Sequence, residues 1–228
     1  MLLTLLALTA EASRSMKIPG PLGPVAKDRP APLHVRDLPR EPAPATPDPA
    51  PEPEKPRKAR RDDGFGDAVA SAARKHLEHA PDGFRNDCSG FVMAAFHRAG
   101  MELSGSTRTM WADAESLGIT HTDTPRPGDL VFFDNTYDRN RNGRRDDPLT
   151  HVGVVIEIGD DGRVVVAHGG TSKGRTTLVM DTRHPHDRLG PDGEVRNDWL
   201  RARQKGDDDR VPRLAGELFR GYARYARP

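Results

Sequence analysis

Glu41-Pro42-Ala43-Pro44-Ala45-Thr46-Pro47-Asp48-Pro49-Ala50-Pro51-Glu52-Pro53 removes a long piece of this 228-residue chain from any packed core. Proline lacks a backbone donor and fixes φ, and the run carries almost no large apolar side chain. Residues 13–62 therefore read as a disordered, proline-rich linker, an extended tether of polyproline type. In front of it, Leu2-Leu3-Thr4-Leu5-Leu6-Ala7-Leu8 and Ala10-Glu11-Ala12 have the apolar run and small-residue site of a signal peptide over residues 1–12, without a basic n-region. The alternative is a frayed apolar terminus in a cytoplasmic protein. The run is too short to span a membrane. The hydrophobic fraction of 35% is diluted by these segments, so a modest core is expected from residue 63 onward.

That core reads as helices followed by strands. Phe65 to His76 places Ala68, Val69, Ala72 and Ala73 on one helical face. A second helix starts at Cys88, carries Phe91, Val92, Ala95, Phe96 and Ala99 at helical spacing, and stops at Gly100. Thr107 to Leu117, with Met110, Trp111 and Ala114, is a third. Strands follow at Leu130–Phe133, Thr150–Ile158, Arg163–His168 and Thr177–Met180. This segregation predicts an α+β fold, with the cysteine helix packed on an antiparallel sheet. Beyond Asp181 the pattern weakens: Trp199-Leu200 reads as a short strand, residues 205–209 as a loop, and Pro212 to Tyr225 as a closing amphipathic helix. Residues 183–228 are expected to form an extension packed on an edge or rim of the 63–182 core.

Cys88 is the only cysteine, so no internal disulfide is possible. It lies where the irregular stretch Arg85-Asn86-Asp87 turns into a helix, and a helix start favours thiolate over thiol. On position alone, a nucleophile and a small buried hydrophobe are equally good readings. The histidines shift that balance. Gly159-Asp160-Asp161-Gly162 signals a hairpin, and with Asp160 and Asp161 at its tip, Gly153 faces His168. His151 and His168 then share a face as diagonal neighbours, whereas a slip of one residue separates them. Cys88 as nucleophile, His151 as proton carrier and His168 as orienter supply the parts of thiol catalysis, with the Cys88 N–H as an oxyanion donor. Zinc ligation by the same three residues is the chemical rival. His97 lies about 13 Å along the helix from Cys88 and is too far to serve as base. His184-Pro185-His186 reads as an exposed loop.

Asp87-Cys88-Ser89-Gly90-Phe91-Val92, Arg126-Pro127-Gly128-Asp129-Leu130-Val131-Phe132-Phe133, His151-Val152-Gly153-Val154-Val155 and the later His168 together resemble the bacterial NlpC-type cell-wall cysteine peptidases and the related CHAP amidohydrolases. The resemblance covers residues 63–182. It implies a papain-like core, cleavage of amide bonds in peptidoglycan peptides, no required cofactor, and a substrate-binding role for Asp87 and Ser89. With the signal-like residues 1–12, the chain is expected to be exported to the periplasm, cell envelope or exterior, and to act on peptidoglycan as a monomer. A non-catalytic cell-wall-binding or scaffold protein that keeps the fold is the rival from another class. Two features depart from the family. The tyrosine and glycine pair usual before the cysteine is replaced by Glu78-His79-Ala80-Pro81-Asp82-Gly83-Phe84-Arg85, and an insertion stands between Phe133 and His151.

In that insertion Asp138, Asn140, Asn142 and Gly143 match the first half of a calcium loop, which Asp146 or Asp147 would close. Four arginines in the same segment oppose a cation, and the plainer alternative is a solvated turn of Asp–Arg pairs. The net charge of +1, with acids and bases interspersed, gives no nucleic-acid footprint.

Overall fold

The computed structural model describes residues 64–227, so the expected signal peptide and linker lie outside the described residues. Three helices come first: α1 (Phe65–Glu78), α2 (Cys88–Arg98) and α3 (Thr107–Ser116). Six strands follow: β1 (Thr120–His121), β2 (Leu130–Phe133), β3 (His151–Ile158), β4 (Val164–Thr171), β5 (Gly174–Met180) and β6 (Phe219–Ala223). They form one antiparallel sheet in the order β1-β6-β2-β3-β4-β5, which is the α+β architecture expected.

Sequence periodicity explains how the layers join. All four residues of β2 are buried because both faces of the sheet are covered. Leu130 and Phe132 pack with Val152, Val154 and Ala167 against the apolar stripes of α1, α2 and α3. Val131 and Phe133 point the other way, against Val155, Val166, Leu178, Leu218 and Tyr222. α2 ends at Gly100 (φ 89), with Gly100 N–H donating to His97 O and Met101 N–H to Phe96 O, which closes the last turn as its sequence predicts. α3 ends in the same way at Gly118 (φ 62).

The closing helix expected over Pro212–Tyr225 does not form. A turn at Ala215–Leu218 leads into β6, which lies between β1 and β2 inside the sheet rather than over a rim. The apolar spacing of Leu214, Leu218 and Tyr222 suits either structure, and tertiary pairing decides. Tyr222 faces one side of the sheet, Ala223 the other, and Gly221 passes so close to Trp111 that a Cβ there would stand 2.8 Å from the indole. The two-residue β1 carried too little pattern to be anticipated. β5 begins three residues before the expected Thr177. Trp199 and Leu214 form an isolated bridge rather than a strand, and Arg213 stacks 4.4 Å above the indole.

Asn197, fully buried, organises the extension. Its Oδ1 accepts N–H groups of Asp181 and Gly216, and its Nδ2 donates to the carbonyls of His184 and Asp187. His184 and His186 pair with Asp181 and Glu217.

Candidate active site

Cys88 is the first residue of α2, and local chemistry fixes that start. Asp87 is the N-cap, its Oδ1 accepting the Gly90 N–H at 2.7 Å. Gly90 is required because a Cβ there would lie 1.9 Å from Arg85 O, the chain folding back over the first turn. Beneath the helix start, Gly170 (φ 72) comes so near that a Cβ would stand 2.7 Å from Cys88 N and 2.9 Å from Asp87 Cα. The β4–β5 register breaks between His168 and Thr171, at this glycine pair, so α2 begins two residues beyond His168 along β4.

His151 opens β3 opposite Phe133. The approach to it is held by Leu149, whose φ of 55 is unusual for a leucine, with its N–H on Asp134 Oδ1 at 2.8 Å. Thr150 Oγ1 accepts from Thr136 N–H at 2.9 Å. His151 Nε2 lies 2.8 Å from His168 Nδ1, the two rings perpendicular, and both residues are buried.

The register that joins them comes from two offsets that cancel. The hairpin tip is one residue longer than expected, with Gly159 N–H donating to Arg163 O and Gly162 in the left-handed region (φ 80). A bulge between Val155 and Glu157 then absorbs one residue of β3, so that Val154 pairs with Ala167, as the shorter turn would have given. Gly153 leaves the expected room: a Cβ there would sit 3.3 Å from His168 Cβ and 2.5 Å from Val166 Cγ1.

Burial holds the His151 pKa far below the usual imidazole value, with repulsion from His168 acting in the same direction; burial alone lowers His168. Both rings are therefore neutral at neutral pH, and a single N–H joins them. Among the described residues His151 Nδ1 has no hydrogen-bond partner. The nitrogen free to accept a proton is Nδ1 when His151 carries its hydrogen on Nε2 and donates it to His168.

The thiol itself takes a different neighbour. Cys88 Sγ lies 3.8 Å from Thr107 Oγ1, and Thr107, buried at the start of α3, also meets Ser89 Oγ at 3.3 Å. Among the described residues no hydrogen bond joins Sγ to either imidazole. Ser89 is buried against Thr107, while Asp87 is half-buried and engaged by Gly90 and, at 3.5 Å, by Arg85 Nε. Sequence reasoning missed Thr107; the Ser106 N-cap of α3 is the signal that would have placed it. It also missed Gly169-Gly170, visible as a glycine pair directly after His168.

In the 134–147 insertion Asp138 accepts the N–H groups of Asn142 and Gly143, Asn140 that of Asn142, and Asn142 that of Arg144. Asn142 Nδ2 donates to Asp146. The loop is thus ordered by its own hydrogen bonds. Its anchor is Asp147, buried, whose carboxylate accepts the Arg139 N–H, whose N–H donates to Asn135 Oδ1 and whose carbonyl accepts the Asn135 N–H.

Residues 79–170 match the family model of the CHAP domain. A curated relative, the probable endopeptidase p60 of Listeria grayi, is 32% identical over 96 residues, covering 39% of this chain and 16% of that protein. The chain therefore spans a small part of that relative's length. No solved structure matches the chain. The matched segment contains Cys88, His151 and His168 and ends at Gly170, under the start of α2. Residues 79–170 are thus similar to the CHAP domain, in agreement with the resemblance carried by the motifs.

Proposed function

We propose that this chain is a cysteine hydrolase that cleaves amide bonds in peptidoglycan stem peptides, as an endopeptidase or an amidase. The observation that carries the reading is the buried His151–His168 hydrogen bond at the end of the sheet where α2 begins with Cys88. With both imidazoles neutral, His151 acts as a general base rather than as half of a resting ion pair. Cys88 Sγ attacks the substrate carbonyl carbon as its proton passes to His151 Nδ1. The carbonyl π pair moves onto oxygen, where the Cys88 N–H, left without an intrahelical partner, donates to it. Collapse breaks the C–N bond, and the amine leaves with the proton from His151. Water, deprotonated by His151, then attacks the thioester; the carboxylic acid departs and the proton returns to sulfur. His168 accepts the His151 Nε2–H throughout and holds the tautomer.

No cofactor takes part in these steps. Any calcium held by Asp138, Asn140, Asn142 and Asp146 acts on the order of the loop leading into His151. Export would bring the enzyme to its polymer, a reading that rests on residues 1–12; among the described residues no helix is long and apolar enough to cross a membrane.

The thiol's contact with Thr107 favours the second reading, a cell-wall-binding protein that keeps the fold with an idle cysteine. Alkylation of Cys88 by iodoacetamide separates the two. Fast, pH-dependent modification that slows in His151→Ala supports the hydrolase, whereas a thiol inert in the folded protein and indifferent to His151 supports the binding protein.

A further inference from the structure

Beside the nucleophile lies a cavity of about 260 Å³, lined by Ala80, Phe84, Arg85, Asp87, Gly169 and Arg175 among others. It is small for a complete ligand site, which suits a subsite for one group of a longer substrate. Asp87 directly precedes Cys88, and Gly169 directly follows His168, so the cavity adjoins the segments that carry these two residues, with neither of their side chains in its lining.

The charges lining it are unequally matched. Asp87 is answered in charge by Arg85 at 3.5 Å and accepts the Gly90 N–H at 2.7 Å. Arg175, from β5, has no such answer. Among the described residues its guanidinium makes no hydrogen bond, ion pair or ring contact, and its Nε is buried without a partner. A buried donor left unpaired is costly, and the terminal nitrogens of the same guanidinium are unpaired and not buried. Its field is felt nearby: His76, behind Phe91, is held below the usual imidazole pKa by burial first, with Arg98 and Arg175 adding to it. The segment that supplies the other wall, residues 79–85, is also where the sequence departs from the NlpC pattern.

We infer that Arg175 forms an anion-binding subsite that selects substrates carrying a free carboxylate on the residue flanking the scissile amide. This deepens the hydrolase reading and rests on it for the identity of the substrate. A guanidinium fork matches a carboxylate with two parallel N–H···O bonds, and a carboxamide can return only one of them.

The test uses the full chain and two synthetic stem tripeptides, L-Ala–γ-D-Glu–L-Lys amide with the D-Glu α-carboxylate free and the same peptide with that one group as a carboxamide. Binding is measured by titration calorimetry on the Cys88→Ala protein and cleavage by mass spectrometry on the unmodified chain. The proposal expects a preference of roughly tenfold or more for the carboxylate peptide, collapsing towards unity in Arg175→Gln and partly restored in Arg175→Lys. Thermal melting of both variants reports whether they fold. Equal handling of the two peptides, or a preference that survives in folded Arg175→Gln, would overturn the subsite. Arg175-dependent binding of the carboxylate peptide, with no cleavage of either peptide or of intact peptidoglycan, would keep the subsite and sink the hydrolase. Binding of neither peptide would overturn the subsite, while cleavage of peptidoglycan by the same protein would still stand for the hydrolase.

Discussion

His151 Nε2 and His168 Nδ1 are 2.8 Å apart, and the bond between them decides which nitrogen of His151 is free to move a proton. In the proposed hydrolase, replacing His151 by alanine removes the base and should lower kcat/KM by about 10²–10⁴-fold. Replacing His168 by alanine leaves the base but frees its ring to turn and to change tautomer. Steady-state kinetics should then show a smaller loss, confined mainly to kcat. Equal activity in His168→Ala would remove His168 from the mechanism.

The same pair sets an acid limit on stability. Both histidines have folded-state pKa values lowered by burial, so below the ordinary value of 6.5 the unfolded chain binds protons that the folded chain refuses. The stability is fully present above that value and is lost as pH falls from it towards the folded pKa values. The slope in that window is about 1.4 kcal/mol per pH unit for each histidine. Urea unfolding at pH 7.5 and pH 5.5 should show the loss, and a His151→Gln, His168→Gln double variant should show a flatter profile. An unchanged slope in the double variant would mean that other groups carry the acid sensitivity.

Gly170 and Gly174 have nearly the same φ, 72 and 75, but different surroundings. A Cβ at Gly170 meets the backbone of Asp87 and Cys88, whereas one at Gly174 meets nothing within 4 Å. Gly174→Ala should therefore cost only backbone strain, about 1 kcal/mol, and keep its activity. Gly170→Ala adds a clash that pushes the start of α2 off β4, and should lose both stability and Cys88 reactivity. Similar melting temperatures and activities in the two variants would contradict the close packing described at the helix start.

β6 lies inside the sheet although it belongs to the last ten residues and falls outside the CHAP match. Its Tyr222 and Ala223 are fully buried, and both β1 and β2 hydrogen-bond to it. A chain ending before Phe219 should give no cooperative thermal transition. A truncated protein that melts cooperatively near the full-length temperature would make the C-terminal strand an accessory.

What the sequence revealed and what it hid have separable physical causes. α1, α2, α3 and β2 were legible because local pattern and tertiary demand agree there, down to the Cys88 start and the Gly100 stop of α2. The histidine register was legible near Gly153 although the turn at Gly159–Gly162 was misjudged, since the bulge at Ile156 restores the parity that burial of both imidazoles requires. β6 was hidden because apolar residues at Leu214, Leu218 and Tyr222 satisfy a helix period as well as a strand edge, and only the gap between β1 and β2 chooses. Thr107, Arg175 and Gly170 were hidden for another reason. Each acts through a contact made across the fold, with Cys88, with a cavity or with a helix start; the Ser106 cap and the Gly169-Gly170 pair mark two of the positions, but neither names the partner.

The most direct test of the central claim is mass spectrometry of intact peptidoglycan and purified muropeptides incubated with the full chain beside its Cys88→Ala variant. The account predicts new fragments whose masses correspond to cleavage of an amide bond, absent with Cys88→Ala. Identical products from both proteins, or none from a folded wild-type chain on either substrate, would contradict it.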